Sequence, residues 1–188
     1  MTTSNTLIAI TGASGIIYAK GLVDVLCNQL NTPPDIIFSD VAEKLLHDEL
    51  NINKDYFTNL NCTVFSNDDF YTPPASGSAS YESMVIIPAT LCTVGKIANG
   101  IADNLITRAA DVFLKEKRNL IVVPRETPLN VIHLENLLTL SKMNVSIIPA
   151  SPGFYHKPQS INDLIDFMVD RILSHLKIDF RLIKPWQQ

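Results

Sequence analysis

No run of lysine and arginine occurs in this 188-residue chain, and its net charge is −4. Nucleic acid is therefore a poor candidate partner, because neutralising phosphates takes clustered cations. No apolar run approaches the roughly 20 residues that a membrane-spanning helix needs, so no membrane span is expected. The opening residues, Met1 to Thr6, lack a basic segment followed by a long apolar one, so no secretory signal is expected. Cysteine is scarce and odd in number, with Cys27, Cys62 and Cys92 scattered along the chain. That suits a reduced, cytoplasmic protein better than a disulfide framework. Charge is sparse too: 18 % of residues are charged, below the usual quarter, against 46 % hydrophobic. The surface then carries few charges for its size. Either sister subunits cover part of it or a monomer presents Ser, Thr and Asn, and composition leaves both open. No repeat, low-complexity tract or domain boundary is visible. Residues 1–188 read as a single domain able to bury a core, with 177–188 as a C-terminal tail.

Four segments share one design: Leu7 to Ile10 before Thr11-Gly12-Ala13-Ser14, Met84 to Ile87 before Pro88, Leu120 to Val123 before Pro124, and Val145 to Ile148 before Pro149. Each is a short, largely β-branched apolar run, which reads as a strand buried on both faces. Proline cannot donate to a ladder, so three of the four carry their own stop. Asp35 to Phe38, before Ser39, reads as a fifth strand. Helical spacing fills residues 15–30 and 103–117. Thr127-Pro128 is expected to open the next helix, as cap and first turn, with the apolar stripe Val131, Leu134, Leu137, Leu138. Ser160 with Asp163 resembles a capping box for a last helix. Strands alternating with helices imply an α/β fold, a Rossmann-like or flavodoxin-like doubly wound parallel sheet. The least regular stretch, about 51–82, holds a loop of small residues from Thr72 to Ser78. Such a loop lets backbone approach a ligand closely, or is a plain connection.

In open α/β sheets ligands bind at the carboxyl ends of the strands. Those ends carry Gly12 to Gly15, Ser39, Thr90 with Thr93, Arg125-Glu126, and Ser151 to His156. A glycine turn entering a helix suits a phosphate, so a nucleotide-like ligand is expected. A third glycine near Tyr18 is missing, so the dinucleotide fingerprint fails. The Walker pattern, the Tyr-x-x-x-Lys pair and the G-x-S-x-G elbow are absent as well. A mononucleotide such as FMN fits better. His47, His133, His156 and His175 are far apart and none pairs with cysteine at ligand spacing, so no metal site is expected. His133-Leu134-Glu135 lacks the Pro-Cys-x-x-Cys half of a deaminase signature, which leaves His133 a structural or surface role. The cysteines read as buried fillers, with Cys92, taken as part of a rim loop Thr90 to Thr93, open to a flavin contact.

Six tags in order then carry a resemblance. They are Thr11-Gly12-Ala13-Ser14-Gly15, Pro73 to Ser78, Asn104-Leu105-Ile106-x-Arg108-Ala109-Ala110-Asp111-Val112, Pro124-Arg125-Glu126-Thr127-Pro128, His133-Leu134-Glu135-Asn136, and Pro152-Gly153-Phe154-Tyr155-His156-x-Pro158-Gln159-Ser160. Together they resemble the UbiX-type flavin prenyltransferases, in a superfamily that also holds cysteine decarboxylases. The likeness spans residues 7–186 and is densest after 72. The decarboxylases typically carry a Pro-x-Met-Asn segment, absent here: Met143-Asn144 lacks the proline.

The resemblance implies a homo-oligomer, commonly a dodecamer, that joins the dimethylallyl group of dimethylallyl phosphate to N5 and C6 of reduced FMN without metal. It also implies that prenylated FMN goes to a UbiD-type decarboxylase, for instance in ubiquinone biosynthesis. It implies FMN contacts from Gly12, Ala13, Ser14, Ser39, Thr90, Leu91, Cys92, Thr93 and Arg125. Lys115, Arg125, Tyr155 and Arg171 become phosphate contacts for the prenyl donor, some across subunits, and Trp186 a covering aromatic. Glu126, Glu49 and Ser14 become catalytic, the two carboxylates by handling protons. Ser39 is followed by Asp40 where members often carry lysine. Read without the family, Arg125-Glu126 is also a helix-start charge pair, Lys115 part of a solvated Lys115 to Arg118 face, Arg171 a surface ion pair near Asp166 and Asp170, and Trp186 a tail anchor. The rival functions are an FMN-dependent decarboxylase on the same fold and a non-catalytic flavin carrier.

Overall fold

The computed structural model describes residues 6–184. Trp186 lies outside them. The order is β1 (Thr6–Ile10), α1 (Ile16–Asp24, continued by a π-helical stretch Val25–Gln29), β2 (Asp35–Phe38), α2 (Asp40–Leu50), α3 (Asp55–Thr58), β3 (Val64–Ser66), β4 (Ser83–Ala89), α4 (Leu91–Ala98), α5 (Leu105–Lys115), β5 (Asn119–Pro124), α6 (Val131–Lys142), β6 (Ser146–Ile147) and α7 (Ile161–His175). All six strands are parallel, in the order β3-β2-β1-β4-β5-β6. This is the doubly wound sheet that alternating strands and helices imply. Side chains alternate across a strand, and the core shows it directly. Ile8, Ile10, Ile36, Phe38, Val85, Ile87, Ile121 and Val123 pack with α1, α2 and α7 on one face. Leu7, Ala9, Ile37, Met84, Ile86, Leu120 and Val122 pack with α4 and α5 on the other. A strand covered on both faces needs apolar residues at every position, which is why these runs do not alternate.

Several helix expectations hold and some do not. Ser160 Oγ accepts from Asp163 N at 3.3 Å and Asp163 Oδ2 accepts from Ser160 N at 3.1 Å, so the capping box of α7 is real. Thr127-Pro128 does not cap α6. The cap is Asn130, whose Oδ1 accepts from His133 N at 2.9 Å, and His133 returns the bond in the reciprocal box. Asparagine caps a helix better than threonine, and Asn130 stands directly before the apolar run, so the helix begins there. His133 thus has the structural role. Thr90 to Thr93 is no loop: Thr90 caps α4, and Leu91 to Thr93 form its first turn. Of the α6 stripe, Leu137 packs against the core and the rest turns outward. Leu140 is fully buried, while Val131, Ile132, Leu134 and Leu138 are each more than half exposed. In this chain taken singly, α6 turns an apolar surface outward.

Candidate active site

The strand order reverses between β1 and β4, so their carboxyl ends part at a topological switch point, where open α/β sheets hold ligands. The β1–β4 ladder stops at Ala9 opposite Ile86. Thr11 takes over beyond it: its N–H donates to Pro88 O at 3.2 Å and its Oγ1 donates to the same oxygen at 2.7 Å. Thr11 Oγ1 also accepts from Thr90 N at 2.8 Å. After Thr11 the chain turns sharply, with Ala13 N donating back to Thr11 O at 2.8 Å. The turn Gly12 to Gly15 forms one lip and Thr90 the other.

Helix α2 lies across this turn. At its start, a Cβ on Gly12 would sit 2.5 Å from both Cβ and Cγ1 of Val41, so only glycine lets the two approach. At its end, Glu49 Oε2 accepts from Gly15 N at 3.0 Å and Ile16 N at 3.1 Å. Gly15 has φ 102°, left-handed backbone that glycine adopts without a Cβ penalty. The first amides of α1, expected to face a phosphate, thus already hold a carboxylate at the positive end of the helix. Two further helix starts face the crevice. Ser39 caps α2, accepting from Ala42 N at 3.2 Å, and its own N–H donates to Ile10 O at 3.0 Å. Thr90 Oγ1 accepts from Thr93 N at 3.1 Å and sits 2.9 Å from Thr93 Oγ1. Their amides and dipoles make the crevice favourable to an anion without a lysine-rich loop.

The cation comes from β5. Arg125 N donates to Ala89 O at 3.3 Å, and its Nε donates to Ser14 O at 2.9 Å across the crevice. The guanidinium is thereby aimed, with its terminal nitrogens unclaimed among the described residues. Glu126 follows at the exposed rim, with Oε1 accepting from Thr127 N at 3.0 Å. Gly12, Ala13, Ser14, Ser39, Glu49, Thr90, Cys92, Thr93, Arg125 and Glu126 therefore gather at one rim. Cys92 is exposed on the first turn of α4, whereas the Leu91 side chain is buried in the core, leaving only its backbone to face a ligand. These small residues, hydroxyls and one fixed guanidinium fit FMN. Two contributors carried no assignment in the sequence reading: Thr11, which ties the lips, and Val41, which presses on Gly12.

The remaining residues sit elsewhere. Tyr155 lies on the segment that leaves the rim beside Pro124, where Ala150 N donates to Pro124 O at 2.9 Å. Its ring meets Phe167 of α7 edge-on at 5.7 Å, and His156 stacks on the same Phe167 at 5.4 Å. Arg171, four residues on along α7, shares a cleft of about 360 Å³ with Phe167, Pro149, Ser151 and His175. Asp170 does not pair with Arg171. It is buried, and accepts from Leu182 N at 2.9 Å and Arg181 Nη1 at 3.3 Å, docking the start of the tail. Burial, aided by the Arg171 charge, holds the His175 imidazole below its ordinary 6.5. Lys115 ends α5, just before β5 begins, so the length of β5, roughly 17 Å at about 3.3 Å per residue, separates it from its own rim. The loop Pro73 to Ser78 is there too. Arg118 Nη2 donates to Gly77 O at 2.6 Å, Arg108 Nε donates to Ala75 O at 3.1 Å, and Lys115 pairs with Glu116 at 2.6 Å beside Gly77. The Pro73 to Ser78 loop thus packs along α5 and meets Lys115 and Arg118 at the edge opposite the crevice, while Asn104 and Leu105 start α5 beside Asn67, just past the carboxyl end of β3. Among the described residues no cluster of three His, Cys, Asp or Glu could hold a metal, and no helix is long and apolar enough to cross a membrane. Cys27 and Cys62, far apart in sequence, are free thiols with Sγ atoms 3.6 Å apart, and burial pushes both thiols up.

Comparison with known proteins places the chain in a family and matches its fold. The Flavoprotein family matches residues 1–173. Flavin prenyltransferase UbiX of Methanocaldococcus jannaschii is 44 % identical over 180 residues, covering 96 % of this chain and 97 % of that one. The crystal structure of AnUbiX (PadA1) in complex with FMN and dimethylallyl pyrophosphate superposes with a TM-score of 0.89 at 35 % identity, covering 97 % of this chain and 98 % of the other. A dodecameric FMN-dependent UbiX-like decarboxylase from Escherichia coli O157:H7 superposes with a TM-score of 0.93 at 33 % identity, covering 98 % of this chain and all of that one. The chain therefore belongs to the Flavoprotein family, in its UbiX-type flavin prenyltransferase branch.

Proposed function

We propose that this flavin prenyltransferase joins a dimethylallyl group to N5 and C6 of reduced FMN. The observation that carries the reading is Arg125, whose guanidinium is anchored through Nε on Ser14 O at the switch-point rim, with no other partner for its remaining N–H groups among the described residues. When bound, reduced FMN supplies the nucleophilic nitrogen and carbon. The donor is an allylic phosphate ester, whose C–O bond breaks as its carbon is taken, leaving charge on the departing phosphate. Arg125 holds that charge, since fixed charge-assisted donors stabilise anions that develop in a protected site. Tyr155 and Arg171 flank the donor from the α7 side. Ser14, Ser39 and the Thr90–Thr93 pair orient the flavin, with Gly12, Ala13 and Cys92 lining it. Glu126 moves the proton that ring closure releases, work typically worth about 10²–10⁴ in rate. Glu49 fixes the Gly15 turn.

Lys115 comes from a second copy of the chain. What supports this is its distance from its own rim, its company with the Pro73 to Ser78 loop, and the outward apolar face of α6, which needs a cover. We take the assembly to be a dodecamer in the cytoplasm that passes prenylated FMN to a UbiD-type decarboxylase, as in ubiquinone biosynthesis. Trp186 is assigned to covering the donor. The test is phosphate release by anaerobic, FMN-reduced protein given dimethylallyl phosphate or pyrophosphate. Release of one phosphate or pyrophosphate per flavin consumed supports transfer and identifies the donor. Release of CO₂ from a cysteinyl peptide, with neither donor consumed, favours the decarboxylase reading.

A further inference from the structure

We propose that Thr11 is a positioning residue whose hydroxyl sets the width of the flavin crevice. The inference rests on FMN lying at the switch point. Parallel strands part here because the chain must leave β1 one way and β4 the other, so ladder bonds end with Ala9 opposite Ile86. Past that point Thr11 N still donates to Pro88 O at 3.2 Å, and Arg125 bridges to Ser14 from β5, but the side chain of Thr11 is what reaches the Thr90 amide: Oγ1 donates to Pro88 O at 2.7 Å and accepts from Thr90 N at 2.8 Å. The hydroxyl is both donor and acceptor, so valine of the same shape can do neither. Thr11 is only 2 % exposed, so water does not replace these bonds while the fold is intact.

The same residue anchors groups on both lips. Its carbonyl accepts from Ala13 N and starts the Gly12 to Gly15 turn, on which Ser14 O receives Arg125. On the other lip it fixes the amide of Thr90, whose hydroxyl caps α4 and meets Thr93. Thr11 touches the flavin through neither. It acts by holding Thr90 and Ser14 at one spacing, and a ring system bound between rigid lips senses that spacing directly.

The test compares Thr11→Val with Thr11→Ser by FMN titration, following flavin fluorescence, with thermal unfolding measured alongside. Thr11→Val leaves the Thr90 amide without its partner. We expect FMN affinity to fall by about tenfold or more, in protein still cooperatively folded at 25 °C. Thr11→Ser keeps the hydroxyl and restores wild-type affinity. A role in stability alone would lower the melting temperature of Thr11→Val and leave its FMN affinity unchanged, which overturns the proposal. Equal weakening in Thr11→Ser also overturns it, because the methyl group would then be what matters. Should Thr11→Val not fold, Thr11→Ala serves, with the same loss expected and faster hydrogen exchange at the Thr90 amide; an unchanged Thr90 amide and unchanged affinity refute the tie. Wild-type protein that binds no FMN removes the flavin reading itself, and this inference with it.

Discussion

Gly12→Ala places one methyl group where α2 crosses the flavin turn. Gly12 has no left-handed φ, so alanine meets no backbone penalty there. The obstacle is Val41, whose Cβ and Cγ1 would each lie 2.5 Å from the new carbon. Carbon atoms rest about 3.5–4.0 Å apart, so the overlap is about 1 Å or more. Cβ is fixed to the α2 backbone and cannot rotate away, so the first turn of α2 must move, taking the Ser39 cap with it. Overpacking of this kind costs about 1–3 kcal/mol, which for a chain of this size lowers the melting temperature by about 2–12 °C. A shift of about 1 Å at Ser39 weakens FMN by about tenfold or more, or about 1.4 kcal/mol. FMN titration and calorimetry of Gly12→Ala, Val41→Gly and the double variant measure both effects. Glycine at 41 removes both clashing carbons, so the double variant regains FMN affinity even though Val41→Gly alone loosens α2 by about 1 kcal/mol. Wild-type affinity in Gly12→Ala, or no recovery in the double variant, refutes the steric account.

Glu126→Gln leaves FMN binding intact and slows ring closure, seen as an early intermediate spectrum persisting in single-turnover traces; traces matching wild type dismiss the proton role. Lys115→Ala and Arg125→Ala are each inactive alone, yet mixed subunits regain part of the activity, because some crevices then pair an intact Arg125 with a neighbour's intact Lys115; no recovery on mixing contradicts the shared site. His175 ionises more readily unfolded, at its ordinary 6.5, than folded, where burial lowers it. Its contribution to stability is present above about pH 6.5 and is lost as pH falls through the lower folded value. Unfolding midpoints should therefore decline more steeply below pH 6.5 in wild type than in His175→Gln, and parallel curves would refute this.

Much of the fold was legible because the central strands are buried on both faces, and double burial leaves an unbroken apolar run. Strand β3 was not, since a three-residue edge strand leaves too short a pattern. Helix α2 buries only Ala42 and Leu46, so its apolar period is faint; its readable signal was Ser39 before an acidic first turn. The α6 stripe was recognised but its direction was not readable, because periodicity shows a face without saying what covers it. At the site, Gly12 to Gly15, Ser39, Thr90, Thr93, Arg125 and Glu126 followed from strand ends alone, whereas Glu49, on the last turn of α2, needed the resemblance. Val41 and Thr11 did not, because their work depends on contacts across 29 and 77 residues of sequence, Gly12 to Val41 and Thr11 to Pro88. Lys115 needed the resemblance, since nothing local distinguishes it from a solvated lysine.

The central claim is that one crevice at the β1–β4 switch point binds reduced FMN and gives it a prenyl group. Mass spectrometry of the flavin extracted after anaerobic incubation of protein, reduced FMN and dimethylallyl phosphate tests it most directly. The account predicts flavin heavier by one five-carbon unit in wild type, and greatly diminished in Arg125→Ala. Flavin of unaltered mass, with either the phosphate or the pyrophosphate ester, would contradict it.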